Sequence, residues 1–166
     1  LHRITHHARE IAEFSEKTVG RIAEILGQFR LTELVNIRNP MDITPMAVDH
    51  AHVELAKALA DDPGVDLVIH GCVPLSPVMK TREPGGPDGE GIADPKGFAK
   101  LMIDAVRNEI DEPIAIVLDA GDLYDPMEKM FIEAGIAVFR SADDAAKALG
   151  TWAAARIRRK SLAEIV

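Results

Sequence analysis

Ile114-Ala115-Ile116-Val117-Leu118 is an unbroken apolar run with no polar residue between its members. A half-exposed strand would alternate. A run like this one must be covered on both faces, which is the condition of a strand inside a parallel sheet. Working outward, Val65-Asp66-Leu67-Val68-Ile69 reads as a second buried strand and Ile136-Ala137-Val138-Phe139 as a third. Leu34-Val35-Asn36-Ile37 reads as a further short strand, closed by Asn39-Pro40.

Helical spacing fills the gaps between these runs. Ser15 is placed as an N-cap before Val19, Ile22, Ala23 and Leu26. Val48, Ala51, Leu55, Ala58 and Leu59 form a second stripe, which Asp61-Asp62-Pro63-Gly64 stops. Asp94-Pro95 is expected to open a helix carrying Phe98, Leu101, Met102, Ala105 and Val106. Asp125-Pro126 opens another, with Met127, Met130, Phe131 and Ala134 on one face and Gly135 at its end. Ser141 caps the last helix, whose buried face is read as Ala145, Ala146, Leu149, Trp152, Ala153 and Ile157. The resulting order is α-β-α-β-α-β-α-β-α, a parallel α/β sheet with helices on both faces and one core.

The chain has 166 residues, enough for one domain spanning 1–166. Apolar residues make up 47% and charged residues 28%, so the chain can bury a proper core. The net charge of −8 argues against nucleic acid as a partner. No apolar run is long enough for a membrane span, and Leu1-His2-Arg3-Ile4-Thr5-His6-His7 lacks the apolar segment of a signal peptide. The single cysteine, Cys72, fits a reducing cytoplasm and is expected to be buried and inert.

Ligands of open parallel sheets bind beyond the carboxyl ends of the strands. Four segments are expected there: Arg38–Thr44, His70–Pro77, Asp119–Asp122 and Arg140-Ser141. Asn39 and Asp42 flank Pro40, which stiffens the turn. They are either a scaffold beside a site or a turn that satisfies its own backbone. Gly71 allows close approach of another backbone or a ligand. His70 is a candidate base, with a hydrogen-bonded structural imidazole as the competing reading. Asp119, Asp122 and Asp125 could hold magnesium, but a helix cap accounts for Asp125 and a solvated turn for the others. His2 and His6 would share a helix face, whereas His50 and His52 would not, and no metal is expected on this chain. The run Arg156-Ile157-Arg158-Arg159-Lys160 suits a helix C-terminus better than an anion site. A long Pro- and Gly-rich stretch follows Gly71, and residues 80–94 are read as a mobile loop insertion. Neither phosphate-loop nor dinucleotide fingerprints occur, and no nucleophile elbow is present.

Several segments, in order, resemble NDP-forming (ADP-forming) acyl-CoA synthetases. Asn39-Pro40-Met41-Asp42-Ile43-Thr44 is similar to that family's NPxDxT segment, and Asp61-Asp62-Pro63-Gly64-Val65-Asp66-Leu67-Val68 to its DPxVDxV segment. Glu112 to Val117 is similar to its KPxxxV strand, and Glu133 to Leu149 to its closing AGIPVYxxxExAVxAL segment. The resemblance covers about Phe14 to Trp152. It implies a flavodoxin-like three-layer αβα domain, akin to the CoA-ligase domain of succinyl-CoA ligase, without the family's first strand and TNxGG turn. It implies an enzyme that interconverts acid, CoA and nucleoside triphosphate with acyl-CoA, nucleoside diphosphate and phosphate, through a phosphohistidine carried elsewhere. CoA, nucleotide and magnesium would belong to the full assembly, none to this domain. CoA-binding and ATP-grasp domains or subunits would be its partners, and a homo-oligomer is a further option. The helix after the Gly71 loop would present its N-terminus to the phosphate. Gly71 and Ser76 would border that site, although Pro74 and Pro77 remove two donors. Asn39 and Asp42 would fix the site-facing turn. The chain is thus expected to be a piece or subunit of a larger ligase, inactive alone. Two alternatives stand beside it: a non-catalytic flavodoxin-like interaction module, and an independent enzyme with a polar cluster around His70 under the Gly71–Asp94 loop.

Overall fold

The computed structural model describes residues 11–72, 76, 78–81 and 91–163. His2, His6, Pro74, Pro77 and the 82–90 part of the expected loop insertion lie outside the described residues. The elements are α1 (Glu16–Gln28), α2 (Asp49–Ala60), β1 (Val68–Cys72), α3 (Phe98–Asn108), β2 (Ile114–Leu118), α4 (Asp125–Glu133), β3 (Ala137–Phe139) and α5 (Ala142–Ala163). A single 3-10 turn, Asp122–Tyr124, leads into α4.

The strands form a parallel sheet of order β1-β2-β3. Its register sets His70 beside Ile116 and Ile116 beside Val138. Alternation then assigns Val68, His70, Cys72, Ile116, Leu118 and Val138 to one face. These residues pack with α2, α3 and α4 in a cluster centred on Phe98, Met102, Met127 and Phe131. The opposite face, with Ala115 and Val117, is covered by α5, which touches all three strands. The flavodoxin-like αβα arrangement is therefore present, with a three-stranded sheet flanked by helices.

The expected strand at Leu34–Ile37 is not formed. The amides of Leu34 and Val35 both donate to the Leu31 carbonyl, at 2.9 and 3.0 Å, so this segment coils on itself instead of extending. Arg30 sits in the left-handed region at φ 58°, and the Leu31 amide returns to the Leu26 carbonyl at 2.8 Å. That pair of features is a Schellman-type close to α1. Leu31 and Val35 are then buried with α1 and α2 in a second cluster, beside Ile22, Ile25, Leu26 and Leu55. The single expected core is thus two clusters, and α2 lies between them.

Helix ends follow the expected chemistry in part. Ser15 caps α1, its Oγ accepting from the Thr18 amide at 3.3 Å. The buried side of α1 is Thr18, Ile22, Ile25 and Leu26, with Val19 and Ala23 exposed. Ser141 caps α5 through the Asp144 amide at 3.1 Å. Gly135 closes α4 at φ 81°, a conformation in which a side chain would be strained. Asp94-Pro95 does not start α3. Asp94 instead accepts from the Lys96 amide at 2.7 Å and the Gly97 amide returns to the Asp94 carbonyl, so a turn is inserted and the helix begins at Phe98. Asp125 does not cap α4 with its side chain; its carboxylate pairs with Arg140. On α5 only Ala145 is fully buried, while Ala146 and Trp152 face outward. Among the described residues no helix is long and apolar enough to cross a membrane.

Candidate functional site

The carboxyl ends of β1, β2 and β3 bring together Gly71-Cys72, Asp119–Asp122 and Arg140-Ser141. Arg140 binds this edge together. Its guanidinium donates to the carbonyls of Ala120 (2.9 Å) and Gly121 (3.3 Å) and to the carboxylates of Asp125 and Glu128. The Glu128 carboxylate, followed by Asp125, raises the arginine pKa further against the opposing effect of burial. Nη1 of Arg140 thereby holds the loop that follows β2, and Nη2 holds the first turn of α4. Asp119 and Asp122 remain exposed beside it.

Gly71 is exposed on the outer strand, and a Cβ built there meets no atom within 4 Å. Ser76 is buried, its hydroxyl donating to the Pro45 carbonyl at 2.7 Å and accepting from the Val78 amide at 3.4 Å. This contact carries the Asn39–Pro45 turn to the segment that leaves β1. Within the turn, Asp42 Oδ1 accepts from the Thr44 amide at 2.9 Å, and Thr44 takes φ 65°. Asn39 Nδ2 donates to the Ala12 carbonyl at 2.9 Å. A shallow open groove runs here between Ile11, Phe14, Val19, Ile37 and Asn39. The turn does not follow a strand; Ser76 ties it to the segment that leaves β1.

The helix that follows the Gly71 loop is α3, and its N-terminus is already occupied. Asp49 Oδ1 accepts from the Phe98 amide at 2.6 Å and from the Lys80 amide at 3.0 Å. A buried carboxylate of the chain's own α2 therefore sits where an anion is favoured by the helix dipole and free N–H groups. Lys80 Nζ also meets Asp94 Oδ2 at 2.6 Å. Both ends of the 80–94 insertion are thus pinned, to Asp49 and to each other.

His70 points into the core. Its Nε2 lies 2.9 Å from Nδ1 of His52, so the two rings share one hydrogen. The Phe98 ring stacks on His70 at 5.6 Å and meets His52 edge-on at 5.4 Å. Burial lowers the His52 pKa to about 4. Burial, helped by the neighbouring His52, lowers that of His70 to about 3. Both imidazoles stay neutral near pH 7. Cys72, on the same face, is pushed up to about 12 by burial and by the charge of Asp49. Among the described residues, no three His, Cys, Asp or Glu side chains converge to hold a metal.

The buried partnerships of Asp49, His52 and Asp62 were not visible in the sequence pattern. Asp49 and His52 lie on the buried side of α2, among Ala51, Val53, Leu55 and Ala56. A polar side chain in such a stripe signals a buried partner. Burial pushes the Asp62 carboxyl up, but hydrogen bonds from Thr18, Gly64 and Ser15 outweigh this and hold it at about 2.

No family model matches the sequence. No curated protein matches it either. Solved structures do match its fold. Over 92% of this chain, the protein PH0766 from Pyrococcus horikoshii OT3 superposes with a TM-score of 0.66 and 23% identity. Over 98%, the dinucleotide forming acetyl-coenzyme A synthetase 1 of Ca. Korarchaeum cryptofilum superposes with a TM-score of 0.53, at 17% identity in its apo form and 16% in its complex with phosphate and ADP. The chain spans 31% of the first protein and 38–39% of the second, about a third of each.

Proposed function

We propose that this chain is one domain of an NDP-forming acyl-CoA synthetase. The full assembly would interconvert acid, CoA and nucleoside triphosphate with acyl-CoA, nucleoside diphosphate and phosphate, through a phosphohistidine carried on another domain. The observation that carries this reading is the superposition of nearly the whole chain on a part of a protein described as an acetyl-coenzyme A synthetase. The ordered NPxDxT, DPxVDxV and closing segments support it. CoA-binding and ATP-grasp domains or subunits would supply what this chain lacks, with magnesium held at the nucleotide.

In this reading the working face is the junction of Gly71, Ser76 and the Asn39–Asp42 turn. Ser76 would hold the turn in place through Pro45. Asp42 would keep the turn's shape through Thr44. Gly71 would leave room for a neighbouring domain or phosphate to approach the backbone. The α3 N-terminus contributes no free donor at Phe98, since Asp49 has taken it.

The test is reconstitution. Acyl-CoA formation is measured with the chain added to its CoA-binding and ATP-grasp partners, alongside Asp42→Ala and Gly71→Val. Turnover that requires the chain, and falls about tenfold (~1.4 kcal/mol) in each variant at unchanged melting temperature, supports the reading. Turnover indifferent to the chain overturns it in favour of an interaction module without chemistry.

A further inference from the structure

The last helix, α5, has 22 residues and is therefore about 33 Å long. Strands of five residues span only about 17 Å, so the sheet cannot cover the whole helix. Beyond Ala145, no α5 side chain among those described is buried. Asp144, Ala148, Trp152, Arg156 and Arg159 are all exposed and follow one another at spacings of four, four, four and three. Such spacing lines them along one side of the helix. The stripe is acidic at its start, small and aromatic in its middle, and basic at its far end. The Arg156 guanidinium lies over the Trp152 ring, 5.0 Å from its centre. Asp143 is paired with Lys147 within the helix. Among the described residues, Asp144, Arg156, Arg158 and Arg159 enter no ion pair.

We propose that this stripe is the face on which a second copy of the chain docks, with the two α5 helices antiparallel about Trp152. Asp144 stands eight residues before Trp152 and Arg159 seven after it, axial offsets of about 12 and about 10.5 Å. A two-fold axis at Trp152 therefore sets Asp144 of each copy against Arg159 of the other. Ala148 then faces the stem of Arg156, where a small residue leaves room. A parallel pairing would set like charge against like. The contact is isologous, so one patch serves both copies. The chain's net charge of −8 disfavours nucleic acid on the same stripe, and the facing Asp144 and Arg159 offset, at the seam, the repulsion between two copies. A footprint about 33 Å long and about 10 Å wide is roughly 330 Å² per copy, well under a standard interface, so the dimer is weak and concentration-dependent.

Sedimentation velocity of the full chain tests this with Arg159→Glu and Asp144→Arg, run singly and mixed. Wild type should dimerise at high concentration in low salt and dissociate at about 0.5 M salt, where charges are screened within a few Å. Each variant alone sets like charges together and should weaken the dimer about tenfold. Mixed in equal amounts, the two variants recover both attractions and should form heterodimers as tight as the wild type. Circular dichroism checks that both remain folded, as expected for exposed positions. Wild type that stays monomeric throughout overturns the proposal, and another domain then covers the stripe. A dimer that ignores both variants, or a mixture that fails to recover, overturns it equally.

Discussion

Acidification should destabilise this fold well above the pH at which carboxylates titrate, because of the His52–His70 pair. Both groups have folded pKa values below their ordinary 6.5, at about 4 and about 3. The stability they confer is complete above 6.5 and is lost as pH falls from there toward the folded values. At pH 5 each unfolded imidazole has gained a proton that the native one refuses. That is 1.5 units below 6.5, about 2 kcal/mol per histidine and about 4 kcal/mol for the pair. Domains of this size have about 5–15 kcal/mol in all, so the loss is a large share. The geometry adds a constraint: with both rings charged, N–H would face N–H across a 2.9 Å gap that holds one hydrogen. Urea unfolding followed by circular dichroism from pH 7.5 to 5 measures the slope, which should approach two protons per molecule. The double variant His52→Leu/His70→Leu should flatten it. Carboxylates do not confuse the window, since Asp62, held at about 2, costs stability only below its ordinary 3.8. A wild-type stability at pH 5 within about 0.5 kcal/mol of that at pH 7.5 would refute the reasoning, as would an unchanged slope in the double variant.

Asp49→Ala should cost about 2–3 kcal/mol, because a buried amide and a half-buried one lose their acceptor, and hydrogen exchange at Lys80 and Phe98 should quicken ahead of the rest of α3. Cys72 should resist a thiol reagent at pH 8 in the native state and react at once in urea, given a thiol pushed up to about 12. Arg140→Ala should cost about 1–2 kcal/mol in thermal unfolding, with Asp125 and Glu128 left side by side; an unaltered melt would show that the two carbonyl contacts carry nothing.

The central strand was legible in sequence, because an unbroken apolar run leaves few alternatives, whereas the strand read at Val65–Ile69 forms three residues later, at Val68–Cys72, with His70 and Gly71 inside it. Ile114–Leu118 fell where expected. Leu34–Ile37 looked the same over four residues but had competition that composition does not display. The Leu31 carbonyl lies within one turn and captures two amides before any neighbouring strand can. Asp94-Pro95 failed as a helix start for a similar local reason, since Asp94 satisfies Lys96 and Gly97 first. Periodicity also overreached on α5, where Trp152 fits the apolar stripe but exceeds the reach of a three-stranded sheet. In the site, the turn chemistry of Asp42 was visible from its neighbours in sequence. The meeting of Ser76 with Pro45, and of His70 with His52, was not, because each joins segments 18 or 31 residues apart.

The position of α2 between two clusters reaches beyond this one chain. Its Ala51 and Ala58 fill the contact with α1, and its Ala56 and Ala60 the contact with the sheet side. An extra methyl on either side pushes against packed neighbours and cannot be relieved by rolling the helix, since rolling closes the other side. Drift among descendants should therefore be slowest along this alanine-rich helix and faster in the exposed turns. A profile of variation across homologues would then peak in constraint at residues 51–60, marking architecture where a reader of conserved positions would look for chemistry.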